Sequence, residues 1–216
     1  MRGLKTYFAP GMPGGRVRLR APVFFARHGE TDWNAERRFQ GLSDIPLNDK
    51  GRAQARANGA ALAARLEDPS HLVCFSSPLS RATETLEIMR DAIGAPPKRY
   101  RIDDRLIEID LGRWNGRTYE EIANEEPDEM TRRESDKWDY AAHGGESYAA
   151  AAARVRQFLQ TIADARAPML IVGHGASGRI LRAFLTGEKR DRAPHLPAPQ
   201  DCVFEIMRGR ETMLRK

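Results

Sequence analysis

Cysteine is scarce in this chain, with two in 216 residues, Cys74 and Cys202. Two thiols cannot staple a disulfide-framed fold. Both sit in apolar, strand-like runs, which predicts buried, reduced side chains and a reducing compartment. Long apolar runs are also missing. No stretch reaches the roughly 18 apolar residues of a membrane span, and the N-terminal residues lack the apolar core of a secretory signal. The expectation is a cytoplasmic protein with no membrane partner. Nor does one sign of charge dominate, since 35 Lys and Arg against 30 Asp and Glu leave +5. That surplus suits a small anionic substrate. It does not suit nucleic acid, because local basic runs such as Arg16, Arg18 and Arg20 are short and isolated. No internal repeat is visible. What remains is an ordinary globular composition, 41% hydrophobic and 30% charged, in a length that fits one domain with room for an inserted cap.

Residues 1–22 are rich in Gly, Pro and Arg without periodicity and read as a flexible extension. The domain is expected over 23–216. Val23-Phe24-Phe25-Ala26 is a β-prone run that stops at Arg27-His28-Gly29. An Ala-rich helix is expected from Asn48, with Ala53, Ala57, Ala60 and Ala64 on its packed face and Pro69 ending it. Leu72 to Phe75 predicts a second strand. Ser77-Pro78 reads as a cap and first position of a helix with the apolar stripe Leu79, Ala82, Leu86, Met89 and Ile93, stopped by Gly94.

A short strand is expected near Tyr100 to Ile102, followed by a Gly-punctuated loop holding Glu108 and Trp114. Thr118 and Glu121 form a capping box. Residues 125–139 are highly charged and read as an irregular part of a cap, the insertion spanning about 117–146. Ser147 caps a helix with the stripe Ala151, Val155, Phe158 and Ile162. Met169 to Val172 reads as a central parallel strand ending at His174. A helix over Ile180 to Leu185 and a terminal hairpin, Val203 to Met207 and Glu211 to Leu214, complete the chain. Strands alternating with helices predict a three-layer α/β/α sandwich with a mostly parallel sheet and a small helical cap.

Arg27-His28, Arg81, Glu108 and His174 all fall at strand ends or the loops after them, where open α/β sheets bind ligands. If the strands lie side by side, two guanidiniums, two imidazoles and one carboxylate converge. The combination is an anion site with a nucleophile and an acid. His71, His143 and His195 lack such context. Trp33 and Trp114 read as packing residues.

The ordered segments Arg27-His28-Gly29-Glu30-Thr31, Trp33-Asn34, Gln40-Gly41, Ser76-Ser77-Pro78-Leu79-Ser80-Arg81, Leu106-x-Glu108 with Gly112 and Trp114, Gly144-Gly145-Glu146-Ser147 and Val172-Gly173-His174-Gly175 resemble the histidine phosphatase superfamily. The resemblance runs from about Val23 to Met207. It implies that His28 is the nucleophile, that Arg27, Arg81 and His174 clamp the phosphate, and that Glu108 is the proton donor. Asn34, Gln40 and Gly41 would add contacts to the phosphate. Arginine's planar fork matches phosphate oxygens, and a neutral imidazole is nucleophilic near neutral pH. Neither a metal nor another cofactor is required by that chemistry.

Within the family the alternatives are a phosphatase for a small phosphorylated metabolite and a phosphoglycerate mutase. Mutases generally carry a long basic insertion after the acid loop, holding the substrate carboxylate and a second phosphate. Here 27 residues separate Gly116 from Gly144, and nine of them are acidic. That favours water as the phosphoryl acceptor, with Arg132 and Arg133 as a remnant of the basic cap. A silent phospho-ligand binding module is the other alternative, against which stands the complete set of five residues. Oligomeric state is open, a homodimer included.

Overall fold

The computed structural model describes residues 12–95 and 100–215. Six strands form one sheet in the order β3-β2-β4-β1-β5-β6. They are β1 (Val23–Arg27), β2 (Val73–Ser76), β3 (Tyr100–Ile102), β4 (Met169–Gly173), β5 (Val203–Met207) and β6 (Arg210–Leu214). The first four run parallel, and the β5-β6 hairpin adds on antiparallel to β1. β4 is fully buried, as expected of a strand covered on both faces.

Side-chain alternation along the strands sorts the core into two layers. Phe25, Phe75 and Ile171 face a cluster built with α6 (Tyr148–Thr161) and α7 (Gly175–Thr186). Phe24, Ala26, Leu170 and Val172 face the other, built with α2 (Asp49–Ala63), which follows the short α1 (Asp32–Ala35), and α3 (Ser80–Ala92). The result is the expected three-layer sandwich. A third cluster, Trp114, Ile122, Met130 and Ala142, forms the core of the cap. No helix among the described residues is long and apolar enough to cross a membrane.

Four local expectations are corrected. α2 begins after Asn48, whose side chain accepts from Gly51 N, but its buried face is Ala55, Asn58, Gly59 and Leu62. The alanines at 53, 57 and 64 are exposed; alanine stabilises a helix without needing burial, so it marks the helix and not its inner face. Gly59 sets the contact with α3, since a Cβ there would lie 2.9 Å from the Met89 carbonyl.

The second correction concerns α3, which starts at Ser80 and not at Ser77. Asp44 Oδ1 accepts from both Ser80 N and Ser80 Oγ at 2.8 Å, so a neighbouring loop supplies the cap. The third concerns the charged stretch after residue 125, which holds a regular helix, α5 (Pro127–Ser135), behind α4 (Tyr119–Glu125). Proline at its first position and i,i+3 pairing of Glu129 with Arg132 support it.

The fourth is the flexible extension. Its first eleven residues lie outside the described residues. Residues 12–22 pack on the sandwich, with Met12, Val17 and Ala21 buried in the α6-α7 cluster. Val17 N donates to Phe184 O, and Arg156 donates to the carbonyls of Pro13, Gly14 and Gly15. The segment has no periodicity because it is a strap along other elements and not an element itself.

Candidate active site

Parallel register delivers the site. Arg27 of β1 pairs with Gly173 of β4, and Ser76 of β2 with Val172, so three strands end at one level. The ladder continues one residue further, through His28 N to Gly173 O and Ser77 N to Val172 O. His28, Ser77 and His174 therefore emerge side by side. The two imidazoles stand 5.2 Å apart between centroids.

His28 Nδ1 lies 2.7 Å from the Gly29 carbonyl. A carbonyl can only accept, so Nδ1 carries the proton and Nε2 keeps its lone pair. Burial, reinforced by His174, Arg27 and Arg81, holds the His28 pKa well below the usual histidine value. The free protein thus presents a neutral imidazole with a fixed tautomer. The loop behind it is a close backbone crossing, where a Cβ on Gly29 would come within 2.3 Å of the Gly51 carbonyl. Thr85 Oγ1 accepts from Gly29 N and donates to Arg81 O, tying this loop to the first turn of α3.

Arg81 is fully buried. Its Nη1 and Nη2 donate to the carbonyls of Ser43 and Gly41, which fixes the guanidinium plane. Arg27 Nη1 donates to Ala198 O. Burial, opposed in part by Glu108, pushes the Arg27 pKa down to about 10, so it remains a cation at neutral pH. Arg27 Nε, Arg81 Nε and His174 Nδ1 are buried and have no hydrogen-bond partner among the described residues. Buried unsatisfied donors cost free energy, and two guanidinium Nε–H groups left so beside one histidine suit an anion.

His174 Nε2 is 2.6 Å from Ser77 Oγ. Burial, with Arg81, Arg27 and Arg154, keeps its pKa well below the usual value as well. It packs on His28 and is not itself part of the cavity wall. Ser77, expected to cap a helix, instead orients this imidazole.

Glu108 is held at the N-terminus of α7. Oε1 accepts from Ile109 N and Ser177 N, both at 3.0 Å, and Oε2 from Ala176 N at 3.1 Å. Burial raises its pKa, but these three amides and Arg27 outweigh it, so the net direction is down. The sequence left that balance open. The structure resolves it toward the carboxylate in the free protein.

A cavity of about 230 Å³ joins these groups, lined by Arg27, His28, Asn34, Gln40, Gly41, Arg81 and Glu108. Seven of the eight predicted site residues thus share one wall, with His174 behind it. Asn34 Oδ1 accepts from Gln200 Nε2 and Thr31 N, leaving the amide NH2 as its free donor. Gly41 has φ +48°, and a Cβ there would meet Asn115 Oδ1 at 2.0 Å, so only glycine fits.

Several wall residues escaped the sequence reading. Arg38, Arg179 and Tyr148 line the same cavity. Gln200 donates to His28 O as well as to Asn34. Arg179 and Arg182 hold the carbonyls of Leu196 and Pro197. Arg38 forms an isolated β-bridge with Thr118 and the others lie in helices or a Pro-rich loop, where a single sequence carries no signal for them. Arg133, suspected as a basic remnant, does reach the cavity, whereas Arg132 pairs with Glu129 on the surface.

The acidic residues of the cap, however, do not line the cavity; several pair with arginines, Arg38 and Arg133 of the wall among them. Glu125 and Glu126 pair with Arg113 or Arg117, Glu121 with Arg38, and Glu134 with Arg133 and Lys137. The wall itself carries five arginines and a single carboxylate. Counting acids in the cap is therefore no argument about the acceptor.

Comparison with known proteins agrees with the geometry. The family model for the histidine phosphatase superfamily (branch 1) matches residues 23–214. A glucosyl-3-phosphoglycerate phosphatase of Mycolicibacterium vanbaalenii is 36% identical over 83% of this chain and 80% of its own. A 6-phosphofructo-2-kinase/fructose-2,6-bisphosphatase of Arabidopsis thaliana is 29% identical over 87% of this chain, which spans only 24% of that longer protein. The solved structure of a mycobacterial glucosyl-3-phosphoglycerate phosphatase with VO3 superposes with a TM-score of 0.74 at 30% identity, covering 86% of this chain and 90% of the other. On these grounds the chain belongs to the histidine phosphatase superfamily.

Proposed function

We propose that this protein hydrolyses phosphomonoesters of small metabolites through a phosphohistidine on His28. The observation that carries the reading is the neutral, tautomer-fixed His28 beside buried arginine donors that have no partner. In the first half-reaction Nε2 forms a bond to phosphorus while the ester P–O bond breaks. Arg27 and Arg81, with Asn34, Gln40, Gly41 and His174 around them, stabilise charge on the equatorial oxygens of a loose transition state. Glu108 gives the leaving oxygen its proton. In the second, the Glu108 carboxylate takes a proton from water, which attacks phosphorus and releases His28.

Glu108 starts ionised, so the donated proton enters with the substrate. A phosphate ester with a second pKa of about 6 delivers it as the monoanion. The cytosol is the compartment proposed, because Cys74 and Cys202 are buried free thiols.

The test is release of phosphate from p-nitrophenyl phosphate, with acid-labile phosphate trapped on the protein during turnover. Both are expected in the wild type and absent in His28→Ala. Release that persists in His28→Ala would refute the assignment. In a panel of sugar, glycerate and amino-acid phosphates, isomerisation of 3-phosphoglycerate faster than hydrolysis of any ester would make the chain a mutase instead.

A further inference from the structure

We propose that Arg154, on α6, is a positioning residue for the proton donor. Its role rests on the reading of Glu108 given above. All five N–H donors of its guanidinium are used. Nε and one Nη2 hydrogen hold Glu146 at 2.9 and 2.7 Å. Nη1 donates to Arg105 O at 2.9 Å and Ile107 O at 2.7 Å, and Nη2 also to Glu108 O at 3.2 Å.

Three backbone carbonyls within four residues accept from this one side chain. They clamp the backbone of residues 105–108, a short stretch with no ladder partner beyond β3. Glu146 in turn is anchored, because Glu146 N donates to Asp110 O on the far side of the acid loop. Arg154 and Glu146 thus grip the loop before and after Glu108. The pair is mostly shielded, with side chains 18% and 23% exposed, so it is less screened than a surface pair.

The grip matters because Glu108 has little freedom in which to function. Oε1 already takes two amide protons and Oε2 one, so a single lone-pair site on Oε2 remains for the catalytic proton. A shift of the 105–108 backbone by an ångström would break the amide contacts and aim that site away from the leaving oxygen. Dividing five donors between three backbone carbonyls and Glu146 also explains why arginine stands there: lysine has three donors and no fork.

The experiment compares phenyl phosphate with p-nitrophenyl phosphate, which differ in the leaving group's need for a proton. Arg154→Lys is expected to lower kcat/KM for phenyl phosphate by at least about tenfold and for p-nitrophenyl phosphate by less than about threefold, a share of the roughly 10²–10⁴ that a general acid supplies. Glu108→Gln serves as the reference and should show the same selectivity, larger in size. Equal loss on both esters, or loss on neither, would overturn the proposal, since a merely structural role does not sense the leaving group. If Glu108→Gln itself lacks selectivity, the proton-donor reading is what fails. Should Arg154→Lys not fold, as judged by its thermal transition, Glu146→Gln replaces it. That variant keeps the carbonyl contacts and weakens their anchor, and a smaller loss with the same selectivity is expected.

Discussion

The electrostatics of the site make a prediction about pH that runs against the usual expectation for a histidine nucleophile. His28 is held well below its ordinary pKa of 6.5 and Glu108 below 4.5. At neutral pH the nucleophile is therefore in its reactive, neutral form. The acid is not: at pH 7 a carboxyl with a pKa below 4.5 is protonated in fewer than about 0.3% of molecules. A proton must come with the ester, and its monoanion declines about tenfold per pH unit above roughly 6. The expected kcat/KM for phenyl phosphate falls with a slope near −1 from about pH 6 to pH 8, with no rising limb at pH 6–7. For p-nitrophenyl phosphate, whose leaving group departs without a proton, the profile stays nearly flat across that range. Glu108→Gln should flatten the phenyl phosphate profile as well. The assay is initial phosphate release at low substrate, at constant ionic strength. A phenyl phosphate profile that rises through pH 6.5 would refute the depressed His28 pKa, and a flat one would refute proton delivery by the substrate.

Ser77→Ala removes the 2.6 Å contact to His174 and should cost one buried hydrogen bond, about 1–3 kcal/mol of stability, read as a drop in Tm of about 2–12 °C in a thermal melt, with a lower kcat/KM because the serine no longer orients the His174 imidazole. Trp114 is fully buried, stacked between Phe39 and Tyr140, and bonded to Glu126; Trp114→Ala should destabilise by about 3–5 kcal/mol and lower Tm by on the order of 10 °C in a thermal melt. His28 and His174 both have depressed pKa values in the fold, so below pH 6.5 the unfolded chain binds protons that the native one refuses. Stability in denaturant titrations should therefore rise with pH up to about 6.5 and fall by up to about 2.7 kcal/mol per unit below it, and His174→Gln should halve that slope.

The sequence revealed most where a residue's own chemistry limits its position. Strand ends, the Thr118 capping box and the stripe on α6 were all legible, because caps and periodicity are local physics. Seven of the eight predicted site residues line one cavity because parallel strands of similar length must end together. Ser77 was misread because a serine before a proline looks like a cap, while the actual cap, Asp44, comes from 36 residues away. The face of α2 was misread because alanine tolerates either side. Arg154 and Gln200 were invisible since their partners include backbone carbonyls, which no sequence distinguishes, and side chains distant in the chain or in an unpatterned loop.

The placement of Glu108 on the N-terminus of α7 bears on both half-reactions. A helix N-terminus is a natural seat for phosphate, yet here its amides are taken by a carboxylate, and the phosphoryl group is left to the arginines. Holding Glu108 as an anion makes it a poor acid in the resting protein and the correct base once the alcohol has left. The first step can afford this because the substrate carries its own proton; the second cannot, because water brings no help. A donor with a raised pKa would reverse that balance and slow hydrolysis of the phosphohistidine. Weakening the amide contacts, as with Ser177→Pro, which deletes one donor to Oε1, should raise the Glu108 pKa. The phenyl phosphate profile should then extend to higher pH, while the burst of phosphorylated His28 grows as its hydrolysis becomes limiting. Rapid-quench measurement of the phosphohistidine checks this directly, and a smaller burst in that variant would mean that the α7 amides serve the first step and not the second.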